Sequence, residues 1–331
     1  MAVLVTGGGG FVGLNLVEAL LARGEEVILF DNGPLPGSAQ HALSRYGRQL
    51  NVAPADVRDA AQVNQVFESH RIDYIVHCAA MTSGAARESR DPATIVDINL
   101  KGTLNILDAA RAYAVKRVVY TSSGAAYGES LYRLARLYEE SPSVPVTLYG
   151  ITKYAAERLC LRMHELWEVD VVCARLGTLV GPWERDTGVR DSYGTHTQIA
   201  ALALAGGTAV LTPREVRRDW VYSRDVAAGL IALMEAPRPH HRVYNLSAGV
   251  EWEQPIRTWC ETLKAAHPAF DFRIAAEGES PNIWYTDQDR CPMDVGRLTR
   301  DIGFEPRHTM QTAYADYLEW LQRTPDFFQR R

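Results

Sequence analysis

Tyr149 and Lys153 stand four residues apart in "LYGITKYAAE" (148–157). If this segment is helical, one turn separates them and both side chains leave the same face. An ammonium beside a phenol favours the phenolate, which makes the pair a candidate couple for proton transfer. Lysine is scarce here: Lys101, Lys116, Lys153 and Lys264 are the only four, against fifteen tyrosines. Chance would place a Tyr-x-x-x-Lys in such a chain roughly 0.2 times. The plainer alternative is an exposed helix lysine near a packed tyrosine. The elements around the pair decide between the two.

A second chemical signature opens the chain. "TGGGGFVG" (6–13) spaces Gly7, Gly10 and Gly13 as G-x-x-G-x-x-G between an apolar run and a helical pattern. A tight turn, close backbone approach to a pyrophosphate, and helix–strand packing each call for a residue without a side chain. The N-terminus of the following helix offers free N–H groups and a positive dipole end to phosphate. Asp31 closes the next apolar run, eighteen residues beyond Gly13. A carboxylate there accepts hydrogen bonds from ribose hydroxyls and repels a 2′-phosphate, and no arginine follows it directly, so NAD is favoured over NADP. The alternative is that Asp31 only begins the turn Asp31-Asn32-Gly33. In "ADVRD" (55–59), Asp56 and Val57 are expected at the end of a third strand, where an adenine ring would lie.

The elements that must position these groups alternate in type. "AVLVTG" (2–7), "EVILFDNG" (26–33), "LNVAPADV" (50–57), "IDYIVHCAA" (72–80) and "VKRVVYTSS" (115–123) predict strands. Between them, "LNLVEALLARG" (14–24), "DAAQVNQVFESH" (59–70) and "PATIVDINLKGTLNILDAARAY" (92–113) carry helical patterns. The Gly/Pro/Ser-rich stretch after Gly33 is expected to be a loop until about residue 48. Strands that are apolar throughout, each followed by a helix, imply a parallel sheet covered on both faces, a doubly wound α/β fold. After "VDVVCARLGTLVGP" (169–182) the pattern loosens. Residues 1–180 are read as the dinucleotide-binding domain. Residues 181–331 are read as a smaller substrate-binding region interleaved with it, with about 210–246 returning to the first sheet.

Composition narrows the classes. The chain has 331 residues, 47% hydrophobic and 23% charged, with a formal net charge of −5. That balance suits a globular protein and gives no electrostatic reason to expect nucleic acid or an anionic membrane as partner. No apolar run reaches the length of a membrane span, and the N-terminus has no basic and apolar leader pattern. The five cysteines, Cys78, Cys160, Cys173, Cys260 and Cys291, form no C-x-x-C, so no metal site or disulfide framework is expected. Free thiols in a reducing cytoplasm is the reading. His240 and His241 are expected in a surface loop rather than at a metal.

Taken in order, "TGGGGFVG", "DVRD", "HCAA", "NLKGTLNIL", "TSSGAAYG", "YGITK", "ARLGTLVGP", "RRDWVYSRDVAAGL" and "PMDVGRLTRDIGFEP" cover residues 2 to about 306. The series resembles the extended short-chain dehydrogenases/reductases, in the NAD-dependent epimerase/dehydratase family that includes UDP-glucose 4-epimerase. The resemblance implies a Rossmann-type sheet. It makes Tyr149 the general base or acid at a reacting hydroxyl. Lys153 would also hold the nicotinamide ribose, and Ser123 would orient the substrate oxygen, with Ser122 a one-residue alternative. NAD contacts are implied for Gly7, Gly10, Phe11, Val12 and Gly13 of the glycine turn, and for Asp31, Asn32, Asp56 and Val57. They are implied also for Cys78, Ala79 and Ala80 of "HCAA", for Leu176, and for Asn99, which could instead be a helix-surface asparagine.

The reaction is less constrained. Dehydratases of the family carry an Asp-Glu pair where this chain has "SSGAAYG", so the resemblance argues against dehydration. An epimerase keeps its reduced cofactor, whereas a dehydrogenase releases it. Arg218 of "RRDW" matches the arginine that meets the diphosphate in nucleotide-sugar members; the alternative is a surface arginine paired with Asp219 or Asp225. Two departures count against a nucleotide sugar: Thr178 stands where an asparagine is usual, and Trp284 precedes Asp294 where an arginine is common, the nearest being Arg290. Ser83, Trp183 and Arg185 are pocket candidates by position. The leading expectation is a nucleotide-sugar epimerase. Next comes a dehydrogenase of a free sugar, sugar acid or polyol, and last a non-catalytic NAD-binding regulator. A homodimer is implied, packed through the helices at about 92–114 and 150–167. In the second of these, Ala155, Leu159, Met163 and Leu166 form an apolar stripe.

Overall fold

The computed structural model describes residues 1–191, 193–284, 286, 288–325 and 327–328. Five strands form where the sequence places them: β1 (Ala2–Thr6), β2 (Glu26–Asp31), β3 (Leu50–Pro54), β4 (Tyr74–His77) and β5 (Arg117–Ser123). Then follow β6 (Val171–Leu176), β7 (Thr178–Val180), β8 (Thr208–Leu211), β9 (Trp220–Tyr222), β10 (Val243–Leu246) and β11 (Asp271–Ile274). Among the described residues the main sheet has seven strands in the order β10-β6-β5-β4-β1-β2-β3, every pairing parallel. Strand order reverses between β1 and β4, and in such sheets the crevice outside the strand C-termini at this point receives the ligand.

Alternate residues of each strand enter opposite cores, as a period of two requires. Val3, Val5, Val27 and Leu29 pack on one face, and Leu4, Ile28 and Phe30 on the other. Helices α1 (Phe11–Ala22) and, late in the chain, α6 (Ser223–Glu235) cover the first face; α2 (Ala60–Ser69), α3 (Gly102–Ala112) and α4 (Leu148–Trp167) cover the second. The C-terminal helices α5 (Thr195–Leu204), α7 (Pro255–Ala266) and α9 (Met310–Arg323), with the shorter α8 (Gly296–Ile302) between the last two, extend the first core. Trp259, Tyr314, Tyr317 and Trp320 join it. Two small parallel sheets, β7 with β9 and β8 with β11, lie in this half.

Two expectations change. The stretch after Gly33 holds a helix, Gly37–Ser44, that buries only Ala39 and Leu43. Tertiary contact rather than local preference fixes it. Asp56 and Val57 lie beyond β3, which closes at Pro54. No helix among the described residues is long and apolar enough to cross a membrane.

Candidate active site

β1 hands over to α1 through Gly7, whose φ of +63° lies in the left-handed region. A Cβ there would sit 2.7 Å from the Ala79 nitrogen, and one on Gly13 only 2.1 Å from the Gly7 oxygen. Neither position admits a side chain. Gly10 caps α1 with extended backbone and no side-chain acceptor, and the first helical bond runs from the Leu14 N–H to the Gly10 carbonyl. The amides of Phe11, Val12 and Gly13 therefore have no helical acceptor, and they face the crevice with the positive end of the dipole. This uncapped cradle fits a dinucleotide pyrophosphate.

Asp31 accepts the Gly9 and Gly33 amides, both at 2.9 Å. It begins the turn, as one reading expected, and also rims the glycine loop. Asn32 donates to Asp56 at 3.2 Å, and the Arg58 guanidinium reaches the same carboxylate at 2.6 Å. The Arg58 hydrogen bond, opposed in part by burial, holds Asp56 down to about 2. Val57 is buried, and a side chain on Gly102 would meet it at 2.6 Å. Cys78, Ala79 and Ala80 lie half-buried just past β4.

The start of α4 and the end of β5 are brought together by one close approach. Thr147 caps α4 by accepting the Gly150 amide at 3.1 Å. A Cβ on Gly150 would lie 2.6 Å from the Ala125 carbonyl, so the start of α4, with Tyr149, presses onto the turn that follows Ser123. Ser123 ends β5, is half-buried, and accepts the Ala125 amide at 3.1 Å. Ser122 points elsewhere, donating at 2.8 Å to Glu157, which also grips Arg175 at 2.6 and 2.9 Å in the interior. Ser122 thus belongs to a buried ionic network, whereas Ser123 is half-buried at the end of β5.

Lys153 is 2% exposed, with its ammonium 4.4 Å from the centre of the Tyr120 ring. Burial brings its pKa down to about 8, partly offset by the nearby Cys78, Cys160, Cys173 and Glu157. It stays mostly cationic at neutral pH. Asn99 sits in a π-helical turn, Asp97–Lys101, between Pro92–Val96 and α3. It is buried, not on the helix surface. Its amide accepts the Met81 N–H at 2.8 Å and donates to the Met81 carbonyl at 3.1 Å and to Thr152 at 2.9 Å. Thr152 donates to the Tyr149 carbonyl at 3.0 Å, so Asn99 ties the end of β4 to the turn bearing Tyr149 and Lys153. His77 bridges Thr6 (2.6 Å) and Thr103 (3.0 Å); burial holds it down to about 3 and therefore neutral.

The substrate candidates scatter more. Thr178 opens β7, bonded through its amide to the Asp219 carbonyl at 2.8 Å. Arg218 is 8% exposed, which overturns the surface reading. Beside it, burial pushes Asp219 up to about 7. The Ser247 hydroxyl and Met293 amide offset this in part but are too poorly placed to make full hydrogen bonds to the carboxylate. Arg290 bonds through its amide to the Arg217 carbonyl at 2.9 Å and lies 5.7 Å from the Tyr132 ring centre. Trp284 is 60% exposed. Leu176 ends β6 at the crevice. Two position-based assignments fail. Trp183 is 1% exposed, edge-on to Trp320, with its indole N–H on Glu18 of α1 at 3.2 Å; it is core. Arg185 donates to the Gly9 carbonyl at 2.7 Å, near enough to Asp31 to feel its charge, and so stands on the cofactor side.

Residues 3–247 match the model of the "NAD dependent epimerase/dehydratase family". The chain belongs to that family. Among curated relatives it is 33% identical over 181 residues to UDP-glucose 4-epimerase of Halalkalibacterium halodurans, covering 55% of this chain and 52% of the relative. It is 25% identical over 334 residues to dTDP-glucose 4,6-dehydratase of Xanthomonas campestris, covering 96% and 92%. The chain spans about half the length of the first of these relatives. A solved structure of Thermus thermophilus UDP-glucose 4-epimerase in complex with NAD superposes with a TM-score of 0.78 at 27% identity, over 97% of this chain and 99% of that one.

Two residues near the family's Tyr-x-x-x-Lys were not found from sequence. Thr152 lies within "YGITK", and its distance of three from Tyr149 allows the observed hydroxyl-to-carbonyl bond. Glu88 accepts the Tyr149 amide at 3.3 Å and the Ser83 hydroxyl at 3.2 Å. Nothing local marks it, because the contact spans 61 residues.

Proposed function

We propose that the protein is an NAD-using nucleotide-sugar epimerase resembling UDP-glucose 4-epimerase. The observation that carries this reading is the placing of Ser123, Tyr149 and Lys153 at one end of β5 and α4, beside an uncapped glycine cradle. When bound, NAD supplies a hydride acceptor and, once reduced, a hydride donor. Tyr149 takes the proton of the substrate hydroxyl at its phenolic oxygen and later returns it. Ser123 holds the substrate oxygen by hydrogen bond. Lys153, dry and cationic, holds the nicotinamide ribose. The stretch Ser123–Tyr127 offers no carboxylate to expel water, which speaks against dehydration. Arg218 is the candidate for the substrate diphosphate, and Ser83 and Thr178 for the sugar side.

A dehydrogenase acting on a non-nucleotide sugar is the second reading. Thr178 and the exposed Trp284, standing where the family's nucleotide-sugar members carry asparagine and arginine, favour it. Dimerisation is proposed through α3 and α4, whose outer faces expose Leu104, Ile151 and Leu166 at 38%, 44% and 54%. The unpaired cysteines suit a cytoplasmic location.

The test is to purify the protein without added nucleotide, extract what it holds, and incubate it with UDP-glucose, UDP-glucuronate and UDP-N-acetylglucosamine. The 4-epimer of one of them should form without added NAD and without build-up of reduced nicotinamide in solution. Stoichiometric release of NADH and a ketone product would reject the epimerase in favour of the dehydrogenase.

A further inference from the structure

The segment leaving β7 runs across the crevice and is fastened at both sides. On the glycine-loop side, the Pro182 carbonyl accepts Asn15 at 2.9 Å, Trp183 is held by Glu18, and Arg185 grips the Gly9 carbonyl. On the β4 side, the Val189 carbonyl accepts the Thr82 amide at 2.9 Å, and the Asp191 amide donates to the Thr82 carbonyl at 3.3 Å. These two bonds make a parallel bridge between Thr82 and Arg190. The Asp191 carboxylate then takes the Gly84 amide at 2.7 Å and the Arg87 guanidinium at 2.6 Å. The centre is pinned too: buried Glu184 accepts the Gly194 amide at 3.0 Å and pairs with Arg190 at 2.8 Å.

The first anchorage follows β1 and the second follows β4, the two strands that flank the point where strand order reverses. A chain joining them passes over the pyrophosphate end of the groove. A dinucleotide seated on the glycine cradle therefore lies beneath this segment. To leave, it must lift one anchorage or slide out endwise. The Asp191 anchorage is the one that can open locally, because its side chains are 19% and 25% exposed, whereas Trp183 and Glu184 are locked in the core.

We propose that residues 182–191 are a strap that keeps the dinucleotide resident, latched by Asp191 on Arg87 and Gly84. Asp191 and Arg87 would act as positioning residues, through the backbone they hold. The inference rests on the reading that this chain binds NAD, and it bears on the choice between epimerase and dehydrogenase. A cofactor that cannot leave must return its hydride.

The test compares the full-length protein with Asp191→Asn and Arg87→Gln. Each is exchanged exhaustively into nucleotide-free buffer, and retained NAD is extracted and counted. Release is then timed by displacement with excess etheno-NAD. The original protein should keep its nucleotide, and both variants should release it at least about tenfold faster, with unchanged thermal unfolding of the nucleotide-free form. Given a substrate, the variants should also shed NADH, a readout that loss of packing alone would not produce. A parent protein that exchanges NAD as fast as its variants would overturn the strap, as would variants that hold it equally well. Retention is read without sugar, so a failure to turn over nucleotide sugars would count against the proposed substrate and leave the strap standing.

Discussion

Gly150→Ala perturbs the approach that brings Tyr149 to the Ser123 turn. The added methyl would sit 2.6 Å from the Ala125 carbonyl, with Thr147 Oγ1 at 3.2 Å and Pro145 Cβ at 3.3 Å closing other directions. Ordinary contact begins near 3.4 Å, so the helix start and the turn must part by about 0.8 Å. Overpacking of this kind costs about 1–3 kcal/mol. Alanine's better helix propensity returns about 0.8–1 kcal/mol, leaving a net loss of at most about 2 kcal/mol. Rate should suffer more than stability, because Tyr149 is the adjoining residue and a misplacement near 1 Å can cost about a hundredfold. The expected result is a kcat for epimerisation about 10- to 100-fold lower, with a small change in KM. NAD retention should be unchanged, since the cradle and strap lie elsewhere. Initial rates and urea unfolding on the same preparation measure both quantities. A variant with parental kcat would refute the idea that this contact sets the catalytic geometry.

Two further outcomes follow from neighbouring residues. Ser123→Ala should lower kcat about a hundredfold with little loss of stability, whereas Ser122→Ala should keep kcat and lose about 1–3 kcal/mol because it strips a bond from buried Glu157; enzyme assays and denaturation tell them apart. Asp219→Asn tests a buried acid whose folded pKa is raised to about 7 from 3.8. The folded state binds the proton more tightly, so this group's contribution is intact below pH 3.8 and lost as pH rises through 7. The loss amounts to as much as about 4 kcal/mol. The variant should gain stability over the parent above pH 7 and little at pH 4, read from Tm against pH; an identical pH dependence would count against it.

What could be read from the chain was whatever backbone geometry imposes on residue type. Gly7 and Gly13 must be glycine because a Cβ would strike the backbone, and that demand shows in spacing alone. Successive apolar strands, each followed by a helix, required the covered parallel sheet. Asp31 was recognisable because the strand end sets its place. Trp183 and Arg185 could not be placed this way, since their partners lie 165 and 176 residues distant. Asn99 was ambiguous because an ideal helix would turn it outward, whereas the π turn directs its amide at Met81 and Thr152. The helix at Gly37–Ser44 escaped notice because its sequence favours turns and two buried side chains hold it.

Both proposed readings share a beginning, in which Tyr149 would take the proton of the substrate hydroxyl and bound NAD would supply the hydride acceptor. The outcome is decided afterwards by two separate features. One is how long the reduced cofactor stays, which the proposed strap of residues 182–191 would govern. The other is whether the keto sugar can turn over within the site, which depends on how the C-terminal region grips the rest of the substrate. Weak anchoring of the sugar permits rotation only if something else holds the molecule. In a nucleotide sugar that hold would be the diphosphate, for which the buried Arg218 is the proposed partner. A chain with both features, as proposed, would be equipped to return the hydride to the other face.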